Sequence, residues 1–148
     1  MSWITFTAAH IKEGLAVREL AIYEETAGVD FDGISSEVSG ERIAAIATRT
    51  ADQFRGLIQS NPLVSEIGPA GTIPSFCLPW AIAIARVAML GMNPAEEGRT
   101  DPRRDEYTDA TKGRDSLKSM SASAFAITSP ASSSASSTTY FGSTRLEF

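Results

Sequence analysis

Between Phe76 and Met92 almost every residue is apolar, and Arg86 is the lone charge in that stretch of 17 residues. A helix built from such a run has no polar face to turn towards water, so it belongs at the centre of a bundle. A membrane span needs an uninterrupted apolar run of about 18–20 residues. This run is shorter and is broken by Pro79 and Arg86. The rest of the chain must therefore supply the cover for one buried helix. Proline favours a first helical turn, which starts this helix near Pro74 or Pro79, and Asn93-Pro94 ends it. Trp80, Ile84 and Val87 are expected core residues.

The remaining segments before residue 122 also read as helices. Thr7 is a candidate N-cap for a short helix over 8–13, stopped by Gly14. A second helix runs over Leu15–Thr26, and Val29-Asp-Phe-Asp-Gly33 has turn chemistry. Ser35 or Ser36 caps a third, longest helix. Its positions Ile43, Ile46, Ala47, Thr50, Phe54, Leu57 and Ile58 recur in steps of three and four. Glu41, Arg42, Arg49, Asp52 and Arg55 lie on the other side, so this helix is half buried and half wet. Residues 60–74 hold three prolines and two glycines. They form a loop, with Leu63–Ile67 the place for a short extended piece. A fifth helix starts at Thr100 or Asp101 with Pro102 in its first turn. Arg103, Tyr107, Ala110, Arg114, Leu117 and Met120 form its narrow inner stripe, interrupted by Gly113.

Composition changes near residue 121. Only Arg145 and Glu147 are charged after residue 122, and Pro130–Thr139 is a Ser/Ala/Thr run that buries too little to fold alone. Aromatic and aliphatic residues flank it: Phe125 and Ile127 before, Tyr140, Phe141, Leu146 and Phe148 after. The expected fold is thus all-α, a small bundle of about five helices over residues 1–122 with an extended Ser-rich C-terminal arm over 123–148.

Little chemistry is on offer. Thirteen Lys+Arg against eighteen Asp+Glu give a net charge of −5, which argues against a basic nucleic-acid clamp. One histidine and one cysteine exclude a multi-histidine metal centre, a multi-cysteine zinc site and an internal disulfide. The N-terminal stretch lacks the basic-then-apolar order expected of a signal peptide. His10 with Glu13 or Glu24 has the residue types of a base and its orienter, but a surface histidine on a short helix is the reading taken. Glu24-Glu25 and Glu96-Glu97 lack a third ligand and read as solvated helix ends. Cys77 lies near a helix start, yet Phe76, Leu78 and Trp80 around it indicate a small buried hydrophobe. Arg99, Arg103, Arg104, Lys112, Arg114 and Lys118 alternate with Asp101, Asp105, Glu106, Asp109 and Asp115, a mixture typical of a solvated or partner-facing surface. The chain reads as a non-enzyme without cofactor. A tail with apolar ends on a small core without an active site indicates an assembly protein.

The order of segments carries a resemblance. Met-Ser-Trp-Ile-Thr leads into a capped short helix. Ile73-Pro74 enters an Ala/Ile/Leu-rich helix, and Asp101-Pro-Arg-Arg-Asp-Glu-Tyr107 runs on to Ser-Ala-Phe125-Ala-Ile127. Over about residues 1–128 this resembles the Mu-like family of small phage head–tail connector, or head-completion, proteins. Its most specific parts are Ser2–Thr7 and Arg103–Ile127. Ser75-Phe-Cys-Leu-Pro79 departs from the compact acidic start that many members have at the fourth helix, and the Ser-rich end is longer than usual.

The resemblance implies a virion subunit of the neck, made in the bacterial host cytoplasm. Such subunits form a ring, typically of twelve, under the portal protein; they extend the DNA channel and dock the next neck or tail-completion protein. An acidic subunit suits DNA that passes without sequence-specific contact, and no membrane is involved. Phe125, Ile127, Tyr140, Phe141, Leu146 and Phe148 are the candidate portal anchor. Arg49, Asp52, Arg103, Arg104, Asp105 and Arg114 are the candidate subunit-interface residues. The alternative is a small DNA-binding ring protein of the packaging machinery, like a terminase small subunit. That reading calls for a basic helix-turn-helix near the N-terminus, where only Lys12 and Arg18 are basic within 8–26.

Overall fold

The structure is a computed structural model that describes residues 2–16, 18–19, 36–91 and 102–127. These residues form four α-helices, two short strands and two 3-10 turns. The helices are α1 (Ala8–Gly14), α2 (Ser36–Gln59), α3 (Leu78–Leu90) and α4 (Pro102–Ser116). Of the second helix expected over Leu15–Thr26, Arg18 and Glu19 are helical, whereas Leu15 is the extended C-cap of α1 and Ala16 is irregular; the rest lies outside the described residues.

Helix α3 occupies the centre. It packs against α1, α2 and α4, and Ala81, Ala83, Ile84, Ala85 and Met89 are buried. Its many alanines let the neighbouring helices approach closely. Position 113 of α4 extends this economy: a Cβ built on Gly113 would lie 2.4 Å from the Trp80 ring. Gly113 is therefore the notch that seats the half-buried Trp80, rather than a break in the α4 stripe. Gly91, with φ of 72°, ends α3 and returns its N–H to the Val87 carbonyl. The stop thus comes earlier than Asn93-Pro94, because a left-handed residue after the last turn is most accessible to glycine. The start falls where Pro79 placed it: the α-helix begins at Leu78 with Pro79 in its first turn, after a 3-10 turn over Ser75–Cys77.

Helix α2 buries Ile43, Ile46, Ala47, Thr50, Ala51, Phe54 and Ile58, the expected stripe with Ala51 added and Leu57 only half-buried at its margin. Thr50 hydroxyl, buried, donates to the Ile46 carbonyl at 2.8 Å, which removes the cost of a lone buried hydroxyl. Arg55 does not join the wet face. Its Nη1 donates to the carbonyls of Gly68, Pro69 and Thr72 at 2.9, 2.6 and 3.1 Å and so gathers the proline-rich loop against the helix. Asn61 does the same beyond the helix end. Almost fully buried, it donates from Nδ2 to the carbonyls of Leu117 and Met120, both at 2.8 Å. One side chain thereby ties α2 to the turn that follows α4.

The fold is mostly helical but not wholly so. Strand β1 (Trp3–Thr5) pairs antiparallel with β2 (Thr72–Pro74), with Ile4 opposite Ile73. Leu63–Ile67, expected to hold the extended piece, is irregular. Pairing needs a partner edge, and β1 offers one to residues 72–74 only. Val87, expected in the core, is half buried at the rim of a groove described below. Phe54 and Ile84 are buried as expected.

The largest correction concerns residue 125. The second 3-10 turn, Ala122–Phe125, folds back onto the bundle, and Phe125 is 1% exposed. Its ring lies 6.0 Å from that of Phe76, and its carbonyl accepts from Trp3 Nε1 at 3.1 Å. The helical unit therefore extends past 122, and Phe125 is a core residue rather than an anchor for a partner. A Ser/Ala-rich composition signals weak burial on average but does not forbid one aromatic from closing a core. Ile127, 44% exposed, stays on the surface. Thr128 onwards, with Tyr140, Phe141, Leu146 and Phe148, lies outside the described residues.

Candidate functional site

Helices α2 and α4 both lie on α3 but scarcely touch one another, and the gap between them is a groove of about 520 Å³. Ile46, Ile84, Val87 and Ala88 supply apolar surface to it. Arg42 and Arg49 stand on the α2 wall, and Tyr107 and Arg114 on the α4 wall. Arg42 and Arg49 are seven residues apart, two helical turns, so they share one side of α2. Both are exposed, and among the described residues no acid pairs with either. Arg114 Nε and Nη2 donate to Oδ1 of adjacent Asp115 at 3.1 and 3.0 Å. Three guanidiniums over a partly apolar floor suit a carboxylate- or phosphate-bearing partner, which planar forks bind in two-pronged fashion. Arg42 and Tyr107 were visible in the sequence only as members of a wet face and an inner stripe. The two-turn spacing of Arg42 and Arg49 was the available signal.

The other charged residues of α4 split by direction. Arg103, half-buried, places its Nη1 2.5 Å from Glu19. Arg86, the lone charge of α3, meets the same centre. It donates to Glu106 at 2.8 Å and to the Gly14 carbonyl, and its Nε lies 4.0 Å from Glu19. This cluster explains how a cation is tolerated on the central helix: it links α1, α3 and α4 at their polar margin. Asp52, Arg104 and Asp105 are exposed.

The remaining chemical candidates have structural roles. His10 Nδ1 accepts from the Thr7 backbone N–H at 3.2 Å, and its ring stacks on Phe6 with centroids 6.0 Å apart. It thus occupies the third helical position of α1 as a glutamate does in a capping box, satisfying an N–H at the helix start. Cys77 is completely buried, and burial pushes its thiol up to about 12. A thiolate nucleophile is incompatible with that environment. Iodoacetamide at neutral pH is therefore expected to leave Cys77 unmodified in the folded chain and to alkylate it in denaturant, as read by intact mass. Rapid stoichiometric labelling without denaturant contradicts this. Glu24, Glu25, Glu96, Glu97 and Arg99 lie outside the described residues.

Among the described residues no group of three or more His, Cys, Asp or Glu is placed to hold a metal ion, and no helix is long and apolar enough to cross a membrane. No protein-family model, no curated protein and no solved structure matches the chain.

Proposed function

We propose that this chain is a structural, non-enzymatic subunit of a phage neck: a head-to-tail adaptor that assembles as a ring, of about twelve copies as the resembled family implies, beneath the portal protein. In this reading it extends the DNA channel and presents a docking surface to the next neck or tail-completion protein. The observation that carries the reading is the hydrogen bond from Trp3 Nε1 to the Phe125 carbonyl, across 122 residues of sequence. It joins the two stretches in which the resemblance is most specific, Ser2–Thr7 and Arg103–Ile127, at one place in the fold. The mixed charge of α2 and α4 supports contacts between subunits, and Arg49, Asp52, Arg103, Arg104, Asp105 and Arg114 remain interface candidates.

With Phe125 withdrawn into the core, the portal anchor is assigned to the residues that follow. Ile127 opens it, and Tyr140, Phe141, Leu146 and Phe148 supply apolar side chains beyond a Ser-rich spacer. Each buried aromatic or leucine contributes roughly 1.5–3 kcal/mol before ordering costs. Many tails in one ring bind together through high effective concentration.

Deleting residues 129–148 is expected to leave a folded subunit that no longer attaches to portal-bearing heads, as seen by electron microscopy after incubation and by cosedimentation. Attachment of the truncated chain with undiminished affinity rejects the anchor. Failure of the full chain to bind such heads rejects the adaptor reading itself.

A further inference from the structure

Among the described residues the groove presents unpaired cations, and the outer side of α4, where Lys112 and Arg104 are also exposed, presents two unpaired carboxylates on a different side of the subunit. The groove presents Arg42 and Arg49, both without an acidic partner among the described residues, together with Arg114. Asp105 and Asp109, one turn apart on α4, are exposed, and no cation pairs with either among the described residues. At 3.6 residues per turn each lies about 160° around the helix from Tyr107, which faces the groove. The two surfaces therefore do not overlap, and one copy can use both at once.

We propose that the Arg42–Arg49–Arg114 groove of one copy receives the Asp105–Asp109 edge of α4 from a second copy. This rests on the ring reading above and gives that ring its subunit contact. The occupant follows from charge complementarity. The chain is acidic overall, at −5, so its cations are scarce, yet three of them line one groove. A carboxylate from the neighbouring copy can accept two N–H groups from one guanidinium, and the apolar stems and floor around it exclude water from the pair. Because groove and edge are different patches, the contact is heterologous. It propagates head to tail and closes into a ring when the rotation between copies divides a full turn. Salt weakens the contact, since such charges are screened beyond about 8 Å at physiological ionic strength.

Charge reversal separates this contact from every other mode of association. All four positions are exposed, and circular dichroism verifies the fold of each variant. Mass photometry and sedimentation velocity of the full chain read the assembly. The R42E/R49E variant keeps only the edge, and the D105R/D109R variant keeps only the groove. Each alone is expected to associate at least tenfold more weakly than the unaltered chain. Mixed in equal amounts, they are expected to co-assemble into alternating higher assemblies, because the intact groove meets the intact edge and the reversed groove meets the reversed edge. The variant with all four reversals is expected to regain higher assemblies. Assembly of both double variants to the same size as the unaltered chain overturns the placement while leaving the ring intact. An unaltered chain that stays monomeric at every concentration and on portal-bearing heads overturns the ring as well. Binding of duplex DNA by the unaltered chain, lost in R42E/R49E with assembly unchanged, reassigns the groove to nucleic acid and favours the packaging-protein alternative.

Discussion

Phe125→Ala is expected to lower the stability of the folded chain by about 3–5 kcal/mol, as large-to-small changes at fully buried aromatic positions do. The loss has two physical parts. The apolar surface of a ring that is 1% exposed returns to water, and a cavity opens beside Phe76. The 3-10 turn also loses its packing anchor, which exposes the Trp3 Nε1–Phe125 carbonyl bond to competition from water. Urea denaturation followed by tryptophan fluorescence reads both parts, because Trp3 sits at this junction. A chain ended after residue 128 is expected to unfold within about 0.5 kcal/mol of the full chain, as surface changes do. A chain ended after residue 122 is expected to match the Phe125→Ala loss. Equal stability of all these chains places Phe125 outside the core and restores the boundary at 122.

Arg86→Met is expected to cost about 1.5–3 kcal/mol, the range for a lost hydrogen bond to a charged group. Methionine keeps the apolar stem and the helix propensity of the position, so the loss isolates the guanidinium. Its removal leaves the Gly14 carbonyl without its donor and Glu106 without its cation. Glu106, 59% exposed, recovers hydration readily, whereas the part-buried Gly14 carbonyl does not. Glu106→Gln is accordingly expected to cost under about 1 kcal/mol, in the range of exposed pairs. Thermal unfolding of the two variants side by side decides the matter. An Arg86→Met chain as stable as the unaltered one shows that the cluster contributes nothing net to folding, as happens when desolvation cancels attraction.

The local elements were legible where periodicity and end signals agree. Thr7 before an apolar short run marked α1, which spans Ala8–Gly14. The steps of three and four from Ile43 to Ile58 marked the buried face of α2, and Pro102 marked the start of α4. The all-apolar run identified α3 as the central helix, packed by α1, α2 and α4, with the Val87–Ala88 side left open at the groove. The strands were not legible. Three residues are too few to display a period of two, and Trp3–Thr5 and Thr72–Pro74 are strands only because each is the other's partner across most of the chain. Polar residues were misjudged in the same way. Arg55 reads as a member of the wet face and Arg86 as a lone charge in an apolar run, yet their partners are backbone carbonyls and acids brought from other segments. The groove was equally hidden: it exists because α2 and α4 diverge over α3, and no single helix encodes that gap.

By itself the sequence determined which stretches become helices, which faces they bury and which helix lies innermost, since those follow from the spacing of apolar residues and from capping chemistry within a few positions. Only the tertiary structure decided that Phe125 closes the core, that Gly113 seats Trp80, that Arg86 is neutralised by an acid cluster, and that three arginines face one groove. The physical reason is range. Helix formation is governed by neighbours three and four residues away, whereas the environment of a ring, a charge or a cavity is set by atoms that arrive from anywhere in the chain.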